Sequence, residues 1–404
     1  MNVLWVTPYK PDAQGGGGVA HEFELLRLAA RHHDIEVITP DFPEDRVELD
    51  RGEQRVPIEG TAWRAHGPAH NKVTFAAQFL RARPSHEQWV LEDRVRALRR
   101  AVELHQRRRH VDLVHLTSTE LASLVGACHA TAVLLAFDVF SRHSGRERSL
   151  SVTRARRLRW AIEERRLARW ERRWLPRFAG VAVVSDVDAA AIRELTPVVP
   201  DVIPNPVVDA FFAPPQVERS DRTVTLVANL GYRPNIDAVE WLGREIWPRV
   251  IDSVPDAELE VVGANPAPGV EGEIRRAGGR LSANVPDVRP YYWRAAVAVA
   301  PIRGGSGLRN KVLHAMACGA PIVATSTALE GIDAVSRRHL LVADDAAGFA
   351  AAIVETLHDR EHAAQRTVAA RELLDAHRSD AVGERFEAWW ARSMTSPRVR
   401  PERG

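Results

Sequence analysis

Between residues 301 and 325 the chain reads PIRGGSGLRNKVLHAMACGAPIVAT, which gathers the residue types best suited to gripping an anion. An apolar run ends near Ile302, glycines follow at 304, 305 and 307, and a helical pattern starts near Leu308. Glycine lets backbone approach a ligand closely, and the free N–H groups and dipole of a helix start favour negative charge. Arg309 and Lys311 fall in the first turn of this expected helix, over residues 308–318, where cations oppose the dipole unless an anion lies beside them. A diphosphate resolves that conflict, with Arg309 holding two oxygens and Lys311 acting as a point charge. The alternative is that both are solvated surface side chains. A second glycine run at 15–18 opens another helical pattern, over 19–31, and offers either the same backbone chemistry or a flexible loop. Its GGGG has no GxGxxG frame, and no acidic residue closes the strand after it, so it is not a dinucleotide fingerprint.

Three other stretches invite chemistry. Asp186-Val187-Asp188 has the form of a metal-binding acidic triplet, but it follows a strand and precedes a helix, so Ser185 and Asp188 read as a capping box and no catalytic metal is expected. The sixteen histidines are scattered without ligand spacing; His32, His33, His105, His110 and His358 read as surface positions. Twelve arginines between 146 and 177, with Leu158, Ile162, Leu167, Trp170 and Trp174, form a basic amphipathic helix. Such a helix either lies on an anionic membrane or packs its tryptophans into a core and solvates its arginines, and the second reading is preferred.

The elements that must position these residues alternate. Strands are expected at 2–8, 35–39, 111–116, 132–137 and 181–185, with helices at 19–31 and 75–106 between them. A Pro-rich passage, 198–215, interrupts the rhythm, and a domain boundary is placed near 205–215. Strands at 223–232, 257–263, 279–281, 297–302, 321–325 and 340–344 then alternate with helices at 236–253, 270–278, 288–295 and 308–318, and more helices follow from 346. Continuous apolar strands separated by helices predict parallel sheets covered on both faces, hence two Rossmann-like doubly wound α/β domains with ligands at strand carboxyl ends and in the cleft they face. The expected divisions are 1–205, 206–375, a helix over 376–395 that packs back on the first domain, and a disordered tail, 396–404.

Composition agrees. A chain of 404 residues exceeds one ordinary core, and 45% hydrophobic with 27% charged residues is globular. The net charge of +2 argues against a dedicated nucleic-acid binder. Fifty-five basic residues include only three lysines, Lys10, Lys72 and Lys311, a bias that points to a GC-rich, bacterial genome. Two cysteines without zinc or redox spacing fit a reducing cytoplasm, the first apolar run lacks the form of a signal peptide, and no apolar run is long enough to span a membrane.

The motifs from 181 to about 345 resemble those of family 4 retaining glycosyltransferases of the GT-B fold, in the subgroup whose pattern is roughly GxGxRxKxxEAMAxGxPVVAT. VVSDVDAAAI, VIPNPVVDAFF, NLGYRPNIDAVEWL, LEVVGANP, VPDVRPYYWRAAVAVAPIRGGSGLRNKVLHAMACGAPIVAT, EGI and LLVADD occur in order. The first 180 residues resemble the family more loosely, through VLWVTPYKPDAQGGGGVAHEFELLRLAA. The resemblance implies that Gly16 and Gly17 approach the donor diphosphate or the acceptor, that Arg233 after Gly231 lends a cation to the phosphates, and that Gly263, Asn265, Pro266, Val285, Pro286 and Asp287 border the nucleotide base. It implies further that Gly305, Ser306, Gly307 and Leu308 wrap the donor sugar and diphosphate and that Lys311 is the subgroup's lysine. Two family glutamates are replaced, by Ser306 near the sugar and by His314 at the ribose, where a neutral imidazole can bond one hydroxyl but not two. LLAFDVFS carries Phe137–Asp138 where relatives often have a histidine before the aspartate, and Asp138 either orients or deprotonates an acceptor hydroxyl or caps a helix.

The function expected is metal-independent, retaining transfer of a sugar from a nucleoside diphosphate donor, a UDP-sugar ahead of a GDP- or dTDP-sugar, to a hydroxyl of a saccharide, natural product or lipid-linked acceptor. Lys311, Arg309, Arg233 and Asp138 are its expected catalytic residues. No cofactor and no nucleic acid are expected; the protein is read as a cytoplasmic monomer or homodimer, with contact at the inner face of an anionic membrane left open. The competing readings are a catalytically silent partner of the same fold and a nucleotide-sugar epimerase, for which no paired acid and base is evident.

Overall fold

A computed structural model describes residues 1–12, 17–39, 47–48, 55–56, 58–60, 88–151, 153–305 and 308–395. The chain divides into two compact units, one of residues 1–204 with 382–404 and the other of residues 205–381.

In the first unit the runs of Val, Ile and Leu become strands buried on both faces, as covered parallel sheets require. β1 (Asn2–Val6), β2 (Asp34–Thr39), β3 (Ile58–Gly60), β4 (Leu113–Thr117), β5 (Thr131–Ala136), β6 (Gly180–Val183) and β7 (Asp201–Val202) form a parallel sheet in the order β3-β2-β1-β4-β5-β6-β7. Helices α1 (Gly17–Ala29), α2 (Gln88–Arg108), α3 (Phe140–Leu150), α4 (Arg154–Trp174) and α5 (Asp186–Leu195) accompany it. The helix expected over 75–106 is thus α2; its beginning, like the 396–404 tail, lies outside the described residues.

The arginine-rich stretch is two helices rather than one. α3 ends before Ser151, and α4 starts at Thr153, whose hydroxyl accepts from the Arg156 N–H at 3.3 Å, an N-cap that starts a new helix. Trp170 donates its indole N–H to the Thr119 carbonyl at 3.1 Å and Trp174 packs on the core, while Leu158 is 64% exposed. Ser185 is the N-cap of α5: it accepts from the Asp188 N–H at 3.2 Å and its hydroxyl donates to the Asp188 carboxylate at 2.6 Å, so that triplet is a helix cap.

The second unit has strands β8 (Thr223–Val227), β9 (Glu258–Gly263), β10 (Arg280–Ala283), β11 (Val297–Ala300), β12 (Ile322–Ala324) and β13 (Leu341–Val342), all parallel, in the order β10-β9-β8-β11-β12-β13. The helix expected over 236–253 is broken: α6 (Arg233–Trp241) passes through a π-helical turn, Leu242–Ile246, into α7 (Trp247–Ser253). Next come α8 (Val270–Arg276), α9 (Arg289–Arg294), α10 (Asn310–Ala317), α11 (Ala346–His358) and α12 (Arg360–Leu373). A last helix, α13 (Ser379–Thr395), runs into the first unit, where Phe386, Trp389 and Trp390 are fully buried with Trp5, Leu113 and Leu135.

Both sheets reverse their order beside their first strand, between β1 and β4 in one unit and between β8 and β11 in the other. In doubly wound sheets that reversal opens a crevice at the strand carboxyl ends, which is where ligands bind.

Candidate functional site

In the second unit the loops leaving β8 and β11 meet at this reversal. Asn229 makes an Asx turn, accepting from the Gly231 N–H at 3.0 Å, and the chain enters α6 at Tyr232. After β11 the backbone turns at Gly305, whose φ of +91° suits glycine. A Cβ there would lie 3.1 Å from the Tyr232 hydroxyl, 3.2 Å from Pro234 Cγ and 3.5 Å from Arg309 Nη2, so the start of α6 and the N-cap of α10 converge on this glycine. Arg303, two residues before it, ties the turn to α6 by a bidentate pair with Asp237 at 2.8 and 3.1 Å.

Lys311 lies in the first turn of α10, as the sequence pattern puts it, whereas Arg309 falls just before the helix. α10 begins at Asn310, because residues 308–309 stay outside helical geometry and Arg309 occupies the N-cap at ψ 83°. Arg309 is only 8% exposed and donates to the Gly304 carbonyl at 3.3 Å. Lys311 is half-buried; its ammonium donates to the Asn235 side-chain oxygen, and the Asn235 amide donates to the Asn229 carbonyl at 2.7 Å. Burial, and then the Arg309 charge, draw the Lys311 pKa down to about 7. The solvated-surface alternative is therefore set aside. Two cations therefore stand at a helix start beside a glycine turn, where backbone N–H groups and fixed charge favour an anion.

His314 lies on α10 one turn beyond Lys311. Its ring stacks on Phe211 at 4.0 Å between centroids and 15° between planes, and burial lowers its pKa to about 4, so the imidazole is neutral at physiological pH. Phe211 belongs to the segment entering the second unit, which also reaches α10 through the Asn205 amide, donating to the Asn310 side-chain oxygen at 2.5 Å.

Gly263 permits a close approach: a Cβ there would meet the Ala228 carbonyl oxygen at 1.8 Å. Asn265, at φ +53°, takes the Asn284 side-chain oxygen on its N–H at 2.9 Å, and a Cβ on Gly231 would meet its carbonyl at 3.0 Å. Val285, Pro286 and Asp287 line a cavity of about 480 Å³ that also takes in Glu260, Tyr291 and Arg294. Asp287 is engaged by Arg289, at 2.8 Å from Nη2. Leu308 is half-buried on the core. Arg233 heads α6 but is exposed, 3.8 Å from Glu240, and no hydrogen bond or ion pair joins it to Arg309 or Lys311.

Asp138 belongs to the first unit, between β5 and α3. Val139 is the N-cap of α3, with no side-chain cap bond, and Glu171 accepts from the Ser141 N–H at that helix start at 3.2 Å. Gly17 is the first residue of α1. Gly16, Ser306 and Gly307 lie outside the described residues. Sequence reading missed Asn229, Tyr232, Asn235, Arg303 and Phe211; the Asn-x-Gly of the turn was the one local signal available, and the other contacts come from residues far apart in the chain. Among the described residues no group of three or more His, Cys, Asp and Glu is placed to hold a metal, and no helix is long and apolar enough to cross a membrane. Cys128 and Cys318 are free thiols.

Residues 221–359 match the family described as Glycosyl transferases group 1, a span that lies within the second unit and includes the glycine turn and α10. No curated protein matches the chain in sequence. Among solved structures, sucrose-phosphate synthase from Thermosynechococcus elongatus is 16% identical, with 97% of this chain and 99% of that chain covered and a TM-score of 0.72. TarM of S. aureus is 9% identical, with 98% and 99% covered and a TM-score of 0.68. Anabaena Alr3699/HepE, in complex with UDP and glucose, is 13% identical, with 97% and 99% covered and a TM-score of 0.63. At these identities the likeness is one of fold, and it covers both units: the chain has the two-domain α/β architecture of GT-B glycosyltransferases.

Proposed function

We propose that the protein is a glycosyltransferase that moves a sugar from a nucleoside diphosphate donor to a hydroxyl acceptor. The observation that carries this reading is the meeting of Gly305, Arg309 and Lys311 at the sheet reversal of the second unit, inside the span that matches Glycosyl transferases group 1. In this mechanism the glycine turn admits the diphosphate, and Arg309 and Lys311 stabilise the charge that develops on it as the bond to the anomeric carbon breaks. The acceptor oxygen forms the new bond, and its proton passes to a diphosphate oxygen. Retention and independence from metal are part of the proposal and follow the motif resemblance. UDP is the first nucleotide to test, because UDP is named with two of the structural neighbours.

The neutral, stacked His314 presents one ribose contact where a carboxylate would present two, which keeps the silent-partner reading in view. Calorimetry with UDP, GDP, dTDP and ADP in EDTA separates the two. The transferase reading expects one nucleotide to bind wild type, and Lys311→Ala or Arg309→Ala to weaken it at least about tenfold and to cut turnover about 100-fold. Unchanged turnover in both variants removes the phosphate assignment. Binding seen only in His314→Glu favours the silent partner.

A further inference from the structure

α3, α4 and α5 enclose a groove of about 780 Å³ on the first unit, remote in the chain from the nucleotide-side residues. Its rim is cationic: Arg148, Arg165, Arg169 and Arg172 line it. Its apolar lining is aliphatic, from Ala168, Val187, Ala190, Ala191 and Leu195. Some of the charge is met internally, by Arg142 with Asp188 and by Arg148 with Glu164, each at 3.3 Å, and Glu194 also lines the groove. Arg172 donates to the Leu195 carbonyl at 3.2 Å. Among the described residues no carboxylate lies within ion-pair distance of Arg165 or Arg169, and both are exposed. With Arg172 they share one face of α4 and span about 10 Å along it at 1.5 Å per residue.

We infer that this groove binds an extended anionic acceptor, a saccharide or polyol chain that carries charge along its length. The inference rests on the glycosyltransferase reading and names the chemistry of its acceptor. Guanidiniums in a row suit successive carboxylate, sulfate or phosphate groups, and aliphatic lining suits the carbon skeleton between them. A bilayer is the wrong shape for a groove, and the tryptophans that a membrane would need are engaged elsewhere, Trp170 on Thr119 and Trp174 on the core. Single-stranded nucleic acid stacks its bases on aromatic side chains, and among the described residues none lines this groove. The groove begins at Ser141 and Arg142, in the first turn of the helix that follows Asp138, so a chain lying in it leads toward that carboxylate.

The test is fluorescence anisotropy with a labelled sulfated dextran oligosaccharide, against neutral dextran of equal length, single-stranded DNA of equal charge, and vesicles of equal parts phosphatidylglycerol and phosphatidylcholine. The sulfated chain is expected to bind wild type best and to lose affinity with salt. The pair Arg165→Glu, Arg169→Glu should weaken it at least about tenfold, and the pair Arg165→Lys, Arg169→Lys should recover part of the loss. The pair Arg154→Glu, Arg156→Glu makes the same change of charge on α4 outside the groove and should cost less than about threefold. Equal losses in the two glutamate pairs, tighter binding of DNA or vesicles, or no binding of the sulfated chain overturns the proposal. UDP binding is read on the same samples; its absence with the sulfated chain still held by the groove counts against the transferase reading alone.

Discussion

Lys311 combines a local signal with a non-local setting. A lysine after a glycine-rich turn reads as a phosphate contact from spacing alone, but its partner Asn235 is 76 residues away, and its partial burial is a tertiary outcome. That burial, with Arg309, draws its pKa to about 7 from an ordinary 10.5. The unfolded chain therefore binds the extra proton between those values, and the stability this group contributes rises with pH across that window. Donor binding goes the other way: a diphosphate prefers the cation, so it takes up a proton and its affinity falls as pH rises above 7, by at most about tenfold per pH unit. Calorimetry at pH 8 in two buffers of different ionisation heat checks this, and no net proton uptake by wild type, or the same uptake by Lys311→Ala, contradicts it. His314 was legible as a departure from the family motif. Its stack on Phe211, 103 residues away, was not, because ring contact between distant segments leaves no periodicity.

At the scale of elements, strands and helices were legible wherever apolar periodicity was strong, and their ends were displaced where one residue's geometry decided. Thr153 divides the arginine-rich stretch and Arg309 delays α10, both by taking extended or irregular backbone at a helix start. The Ser185 cap was readable because capping is local. Gly263 looks like any loop glycine in sequence, yet it lets β9 end against the loop leaving β8. Gly263→Ala should cost about 1–3 kcal/mol, since the contact is with backbone that cannot rotate away. Gly272→Ala on α8, with nothing within 4 Å of its Cβ, should instead stabilise by up to about 1 kcal/mol. Urea unfolding of the two variants checks the contrast, and equal midpoints would remove the close-approach reading of Gly263.

At the scale of the whole molecule, the last helix completes a core begun by the first strand. Trp390 is fully buried, donates its indole N–H to His115 Nδ1 at 3.2 Å and lies 6.1 Å from the Trp5 ring, while Gly180 leaves room for Trp389 and Ser393. Trp390→Ala should cost about 3–5 kcal/mol, read by chemical unfolding, and should reduce hydrogen-exchange protection in β1 and β4. Unchanged protection there would mean that this helix is not part of the first unit's core. By itself the sequence determined the class of fold, the order of elements and the glycine turn that Arg309 and Lys311 follow, because hydrophobic periodicity, glycine placement and helix capping act over a few residues. Only the tertiary structure decided which segments meet at the turn, that Arg309 and Lys311 are enclosed rather than solvated, and that part of the arginine stretch lines a groove. Those outcomes depend on contacts between residues tens to hundreds of positions apart, and such contacts form only once the sheets have set their strand order.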